Sequence, residues 1–472
     1  MKNDIQENMF SELNEKIIFD QARLYAFKYL DEALKRNVFP DKKAIDALIV
    51  FDEELPYYPE NPLTILEKLN EYGSPATVST IGGRYFGFVS GGAIPTALAA
   101  KWLADIWDQN APLYVLSPIL SKLETVVESW LIELFKLPQN TVAGFVSGTS
   151  VAIISGLAAA RYRILKNMNW DINSKGLFGA PKIRIVTSSQ IHGTVLKAIA
   201  ILGLGKDNIE WIDVDSQGRI IPELIPELDK QTILILQAGN VNSGSFDSFD
   251  LICEKANSVN AWIHIDGAFG LWAAGSEELK HLTKGIEKAN SWSVDGHKTL
   301  NTPYDCGIIL CNDKEALTVA LQASASYIQY SDKRDGMLYT PEMSRRARVV
   351  ELWATMKYLG KNGIDDLVTA LHQRALQFAN ELKEADGFEI LNDVVFNQVL
   401  VRCKTDHLTQ RTIERIQELN ECWVGGSMWN GRKVIRISVC SWATTSDDIT
   451  RSVKSFIEAL NENKFQIKTS HP

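Results

Sequence analysis

The stretch Trp262-Ile263-His264-Ile265-Asp266-Gly267-Ala268 is an apolar run that ends in a carboxylate and passes straight into two small residues. A short apolar run of that kind reads as a strand buried on both faces, and in an open parallel sheet the ligand site forms at the carboxyl ends of such strands. Similar runs lie on either side of it, at 183–187, 232–236 and 307–311, each separated from the next by helix-length sequence. That alternation predicts an α/β fold whose sheet is mainly parallel, with helices on both faces. Further upstream, Ser117-Pro118 supplies an N-cap and a first-turn proline. The apolar stripe Ile119, Leu123, Val126, Val127, Trp130, Leu131 and Leu134 then follows at helical spacing, so an amphipathic helix starts there.

Beyond Cys311 the pattern changes. A charged loop, Ser331-Asp332-Lys333-Arg334-Asp335-Gly336, precedes a helical stripe through Val349, Leu352, Met356 and Leu359. Strand-like runs follow at 397–402 and 434–440, and Ser446-Asp447-Asp448 caps a final helix. The expected organisation is an N-terminal helical segment (1–85), a large domain (86–345) and a smaller C-terminal α+β domain (346–472). Residues 82–92 hold five glycines among Tyr85, Phe86 and Phe88. Such a backbone suits close approach of a ligand or of another chain segment, and equally a plain irregular loop.

Over 472 residues the chain is 45% hydrophobic and 23% charged, an ordinary globular balance. Its 49 basic and 58 acidic residues give a net charge of −9, which offers no broad basic face to nucleic acid or to an anionic membrane. The first twenty residues interleave charges with apolar side chains, unlike a signal peptide, and no run approaches the ~20 apolar residues of a spanning helix. The six cysteines, at 253, 306, 311, 403, 422 and 440, form no CxxC and have no histidine at ligand spacing. They read as reduced thiols of a cytoplasmic protein, and no metal site is expected.

Two more strand ends carry reactive side chains: Ser291-Trp292-Ser293-Val294-Asp295-Gly296-His297-Lys298 ends in a lysine, and the run from 183 ends near His192. A lysine amine condenses with the aldehyde of pyridoxal 5'-phosphate. A carboxylate pairs with the pyridine nitrogen so that the ring accepts electrons, and an imidazole can stack on the ring and handle a proton. The phosphate needs donors at a helix N-terminus, and Phe145-Val146-Ser147-Gly148-Thr149-Ser150 ahead of an apolar helix at 151–161 supplies them. Each feature alone has an ordinary structural explanation: a turn aspartate, a surface lysine, a core histidine, a helix start. Their order and spacing together favour the cofactor. Gly203-Leu204-Gly205 lacks the third glycine of a dinucleotide fingerprint, and GxxxxGK[ST], HExxH and GxSxG do not occur. Arg345-Arg346-Ala347-Arg348 is most simply an ion-pairing cluster.

Three segments resemble one family: His264 to Ala268, the Asp295-Gly296-His297-Lys298 block with Tyr304-Asp305-Cys306 behind it, and Ile435-Arg436-Ile437-Ser438-Val439-Cys440-Ser441. The chain is similar, from about Gly82 to Thr450, to the group II pyridoxal-phosphate-dependent decarboxylases, which include aromatic-amino-acid, glutamate and tyrosine decarboxylases. The resemblance implies a fold type I PLP-dependent transferase architecture, aspartate-aminotransferase-like, and a carboxy-lyase acting on an L-amino acid. It also implies a homodimer with its active site at the interface. By resemblance, Lys298 would hold the cofactor as an internal aldimine, Asp266 would pair with the pyridine nitrogen, and Ala268 and His192 would sandwich the ring. Gly148, Thr149, Ser150 and His297 would hold the phosphate, and Asn242 would donate to the phenolate oxygen. His192 and Tyr339 would handle protons, Tyr339 from a mobile loop.

The sequence also departs from the family pattern. Thr149 and Ile153 replace a glycine and an asparagine of the usual phosphate loop, Thr299 follows the lysine where an aromatic is common, and Asn240-Val241-Asn242 replaces a threonine pair. An aminotransferase, or a lyase cutting another carbon–carbon bond, therefore stays open, as does a cofactor-retaining binding protein without turnover. Arg436 discriminates. A guanidinium clamping the substrate α-carboxylate would select a different scissile bond, and the simpler expectation is a structural ion pair.

Overall fold

The computed structural model describes residues 4–322 and 330–469, with side chains of the last helix to Asn463. Seven strands form the main sheet: β1 (Val142–Val146), β2 (Arg184–Ser188), β3 (Ile209–Ile212), β4 (Thr232–Gln237), β5 (Trp262–Asp266), β6 (Ser291–Asp295) and β7 (Gly307–Cys311). Their order is β1-β7-β6-β5-β4-β2-β3. All run parallel except β7, which is antiparallel to both of its neighbours. No helix separates β6 from β7, so the chain turns back through Lys298 without the crossover that a parallel pair needs.

Two of these strands were not apparent in the sequence. In β1, Gly144 interrupts the apolar run because a Cβ there would lie 2.1 Å from the Tyr339 carbonyl oxygen. In β3, Glu210 and Trp211 stay accessible because the strand is an edge. The inner strands β4, β5, β6 and β7, and the other edge strand β1, are buried along their whole length.

Side chains alternate between the two faces of the sheet. On one face Ile233, Ile235 and Ile309 pack with Ala152, Ile153 and Leu157 of the helix Thr149–Asn167. On the other, Leu234, Ile263, Trp292 and Leu310 pack with Val127 and Leu131 of the helix Pro118–Phe135. Truncating one such side chain to alanine costs ~2–5 kcal/mol, so each strand end is held firmly in place.

A long helix, Val349–Glu384, interrupted at Gly360 (φ 59°), joins the two halves of the molecule. Leu352 and Met356 contribute to the main core, whereas Leu371, Ala375 and Phe378 pack on a second sheet. That sheet is antiparallel, in the order β10-β11-β9-β8, from β8 (Glu389–Ile390), β9 (Gln398–Arg402), β10 (Gly425–Trp429) and β11 (Arg432–Ser438). The glycine-rich stretch 82–92 serves close approach between chain segments. Phe86 N–H donates to the Trp423 carbonyl at 2.9 Å and Ser438 N–H to the Phe86 carbonyl at 2.9 Å. A Cβ on Gly91 would stand 2.1 Å from the Lys298 carbonyl oxygen. Among the described residues no helix is long and apolar enough to cross a membrane.

Candidate active site

The carboxyl ends of four parallel strands converge. β5 ends in Asp266 and β6 in Asp295, followed within three residues by Lys298. β2 leads to His192, which caps the helix Gly193–Ile201 by accepting from Thr194 N–H through Nδ1 at 3.3 Å. β1 leads through Ser147 and Gly148 into the helix Thr149–Asn167. Burial pushes the Asp266 carboxyl above its ordinary value, and the nearby charges of His192 and Lys298 pull it back. Burial likewise pushes His192 down, with Asp266 opposing and Lys298 and Arg436 reinforcing. The charges acting on His192 place Asp266, Lys298 and Arg436 in its electrostatic neighbourhood. Ala268 is half-buried beside them, donating its N–H to Asp266 Oδ1 at 3.2 Å.

Asp295 is the hub to which the sequence had given no role. Its Oδ1 accepts from Thr149 N–H at 2.7 Å and its Oδ2 from the Thr149 hydroxyl at 2.9 Å. Lys298 Nζ lies 3.3 Å from Oδ2, and His297 Nε2 lies 3.6 Å from the same oxygen. His297 accepts from Cys306 N–H through Nδ1 at 3.0 Å, which leaves its ring proton on Nε2, and Tyr304 packs on its ring at 4.5 Å. The only hint in the sequence was an acid at a strand end, three residues before the lysine.

Arg436 overturns the ion-pair expectation. No carboxylate lies within 4 Å of its guanidinium among the described residues, and its one hydrogen bond runs from Nη1 to the Val241 carbonyl at 3.3 Å. Burial lowers its pKa, with Tyr85 opposing. Tyr85 in turn stacks on Trp423 at 5.2 Å, and Phe88 stacks on the same indole at 5.6 Å. Phe86, grouped with them in the sequence, is a core residue edge-on to Phe378.

The pyridoxal-dependent decarboxylase conserved domain matches residues 46–404. The chain belongs to that family. It is 28% identical over 340 residues to the acidic amino acid decarboxylase GADL1 of Mus musculus, covering 68% of this chain and 60% of that one. Against GADL1 of Xenopus tropicalis it is 26% identical over 398 residues, 81% of this chain and 72% of the relative. The matched part thus spans less than two thirds of the mouse protein's length. Among solved structures, Oryza sativa TDC with PLP and tryptamine superposes with a TM-score of 0.86 at 20% identity, covering 96% of this chain and 98% of that one. Mouse CSAD does so with a TM-score of 0.86 at 21% identity, covering 95% and 98%. These likenesses show the fold, which is the expected fold type I architecture.

Pyridoxal phosphate is the cofactor of the pyridoxal-dependent decarboxylases, and the donors present here fit it. A buried carboxyl pushed up by burial at the end of β5 gains from a ring N–H partner. An amine lies at the end of β6. For the phosphate, half-exposed Ser150 at the helix start and the His297 Nε2 proton are suitable donors. Thr149 differs from the expectation: its N–H and hydroxyl are already taken by Asp295, so it acts through that carboxylate. Gly148 lies under a close approach from β7, since a Cβ on Gly307 would lie 2.3 Å from Gly148 Cα, whereas a Cβ on Gly148 itself would meet only His297 at 3.5 Å and Asp295 at 3.7 Å.

Two further expected residues make other contacts in this chain. Tyr339 sits in a short turn, Gly336–Tyr339, 6% exposed within the apolar layer under the main sheet, with the Arg334 guanidinium 4.2 Å from its ring centre. Its backbone packs on Gly144 of β1 and its ring is covered, the arrangement of a tyrosine packed beneath the loop. Asn242 faces β10, its Oδ1 accepting from the Ser427 hydroxyl at 2.8 Å, which orients the carboxamide and leaves the expected donor, its Nδ2, to the other side.

Proposed function

We propose that this chain removes the α-carboxylate of an L-amino acid, as a carboxy-lyase that carries pyridoxal phosphate on Lys298. The observation that carries the reading is the convergence of a buried acid, an imidazole and a lysine at neighbouring strand ends, within a chain that belongs to a decarboxylase family. Bound there, pyridoxal phosphate supplies an aldehyde that condenses with amines and a ring that accepts the electron pair of a broken bond. Asp266 holds a proton against the ring nitrogen, and its burial strengthens that interaction. Ala268 and His192 bound the ring, and Ser150 and His297 donate to the phosphate. The His192 proton sits on Nε2, because Nδ1 accepts from Thr194, and that is the atom that exchanges a proton with substrate.

Replacing Lys298 by alanine abolishes the visible absorbance of the bound cofactor and its trapping by borohydride; survival of both removes Lys298 from the role. Product analysis decides the reaction, with CO₂ and an amine expected. An α-keto acid instead would favour the second reading, an aminotransferase or another carbon–carbon lyase, for which the unpaired Arg436 guanidinium is the specific argument.

The working unit in this proposal is a homodimer in the cytoplasm with a small amino acid as its partner. Supporting a second copy are exposed apolar side chains on the helix Pro95–Trp107 and beyond, such as Leu103, Ile106, Val115 and Leu116. Supporting a reducing compartment are six cysteines that are all buried and form no CxxC pair in the sequence.

A further inference from the structure

Asn301, three residues after Lys298, is fully buried and adopts left-handed backbone (φ 58°). Its carboxamide uses every hydrogen-bonding site. Oδ1 accepts from Gly92 N–H at 2.7 Å and from Trp442 N–H at 2.9 Å. Nδ2 donates to the carbonyls of Thr299 at 2.8 Å, Cys440 at 2.9 Å and Lys298 at 3.3 Å. The Asn301 N–H donates to the Lys298 carbonyl as well, at 2.9 Å. Three segments far apart in sequence therefore meet on one side chain: the loop after Lys298, the glycine-rich entry to the helix Pro95–Trp107, and the chain leaving β11. Space for the meeting comes from glycine. A Cβ on Gly91 would strike the Lys298 carbonyl, and one on Gly92 would lie 2.8 Å from Ser441 Oγ and 3.2 Å from Asn301 Oδ1.

We propose that Asn301 is a positioning residue that fixes the Lys298 main chain against the end of β11, and so sets the separation between the lysine amine and the Arg436 guanidinium. The inference rests on the role of Lys298 proposed above and takes Arg436 as the group that meets a carboxylate of the substrate, one other than the carboxylate that leaves in a decarboxylation. An amino-acid substrate has to reach both groups, and a misplacement of about 1 Å at a reacting centre is enough to cost ~100-fold in rate. A carboxamide serves where a hydroxyl or carboxylate does not, because the node needs two donors and two acceptors in one plane. Asparagine also tolerates the left-handed backbone better than other side chains do.

The test uses the holoenzyme of Asn301→Gly, which keeps the left-handed backbone and deletes the amide, and of Gly92→Ala, which crowds the same node from the opposite side. Borohydride-trapped cofactor per chain should stay near wild type. KM for the amino-acid substrate should rise by about tenfold or more, and the visible circular dichroism per mole of bound cofactor should fall. Damage to folding alone lowers the active fraction and the melting temperature but moves neither KM nor dichroism per bound cofactor. Wild-type values of both in the two variants would overturn the proposal. If Asn301→Gly does not fold, Gly92→Ala decides on the same two readouts. If the wild-type holoenzyme turns over no amino acid, the decarboxylase reading fails while the dichroism comparison still decides the role of Asn301.

Discussion

A guanidinium partly withdrawn from water with no carboxylate beside it has given up hydration that its neighbours do not fully replace, and among the described residues Arg436 is in that position. One carbonyl contact leaves most of its five N–H donors for something else, and a substrate carboxylate matches them in charge and in planar geometry. Arg436→Gln should therefore raise KM roughly 10- to 100-fold, the range expected for a lost charge-assisted hydrogen bond, while borohydride trapping at Lys298 stays intact. Initial rates over a range of substrate concentrations check this, and an unchanged KM removes Arg436 from substrate binding. The sequence showed an arginine inside an apolar strand but not its lack of a partner, because a partner is a property of distant segments. Asp295 was hidden for the same reason: its role depends on the start of a helix nearly 150 residues upstream. The packing of Tyr339 could not be read from its neighbours in sequence, because it depends on the glycine at 144, which lets β1 pack directly on its backbone.

At the scale of elements, the strands that could be read from sequence were those buried on both faces, because continuous apolar runs leave no other reading. β4, β5 and β7 belong to this class. β3 was missed because an edge strand carries polar residues, and β1 because a packing glycine breaks its run. Within β5, His264 is fully buried, with Nδ1 2.8 Å from the Ser291 hydroxyl, and burial pushes its pKa down to about 3. An unfolded histidine titrates near 6.5. Between these values the unfolded chain binds the proton and the folded chain does not, so acidification through this window favours unfolding. The slope approaches about 1.4 kcal/mol of stability lost per pH unit below 6.5 for this one group. His264→Gln removes the titration and retains a hydrogen-bonding side chain. Its urea midpoint should fall less steeply than wild type from pH 6 to pH 4, and parallel slopes would show that His264 is not the group responsible.

For the whole molecule, the arrangement around Lys298 ties the site to an exposed apolar surface. Gly91 and Gly92, which touch Lys298 and Asn301, lead directly into the helix Pro95–Trp107, whose Leu103 is 56% and Ile106 69% exposed; farther on, Val115 is 74% exposed. At roughly 25 cal/mol per Å² of apolar surface buried, a few such side chains covered by a second copy contribute several kcal/mol to association, and an uncovered patch of this kind is uncommon on a monomer. The wild-type chain should therefore sediment at twice the mass of one chain at micromolar concentration. Ile106→Glu combined with Val115→Glu places two charges in the contact, so it should sediment as a single chain. Because the same helix carries the loop that fixes the Lys298 main chain, activity should fall together with the dimer fraction. Dilution of the wild type should reproduce that loss, with activity per chain declining below the dissociation constant read from sedimentation. A wild type that remains fully active as a single chain would separate the site from the interface and leave the apolar face to another partner.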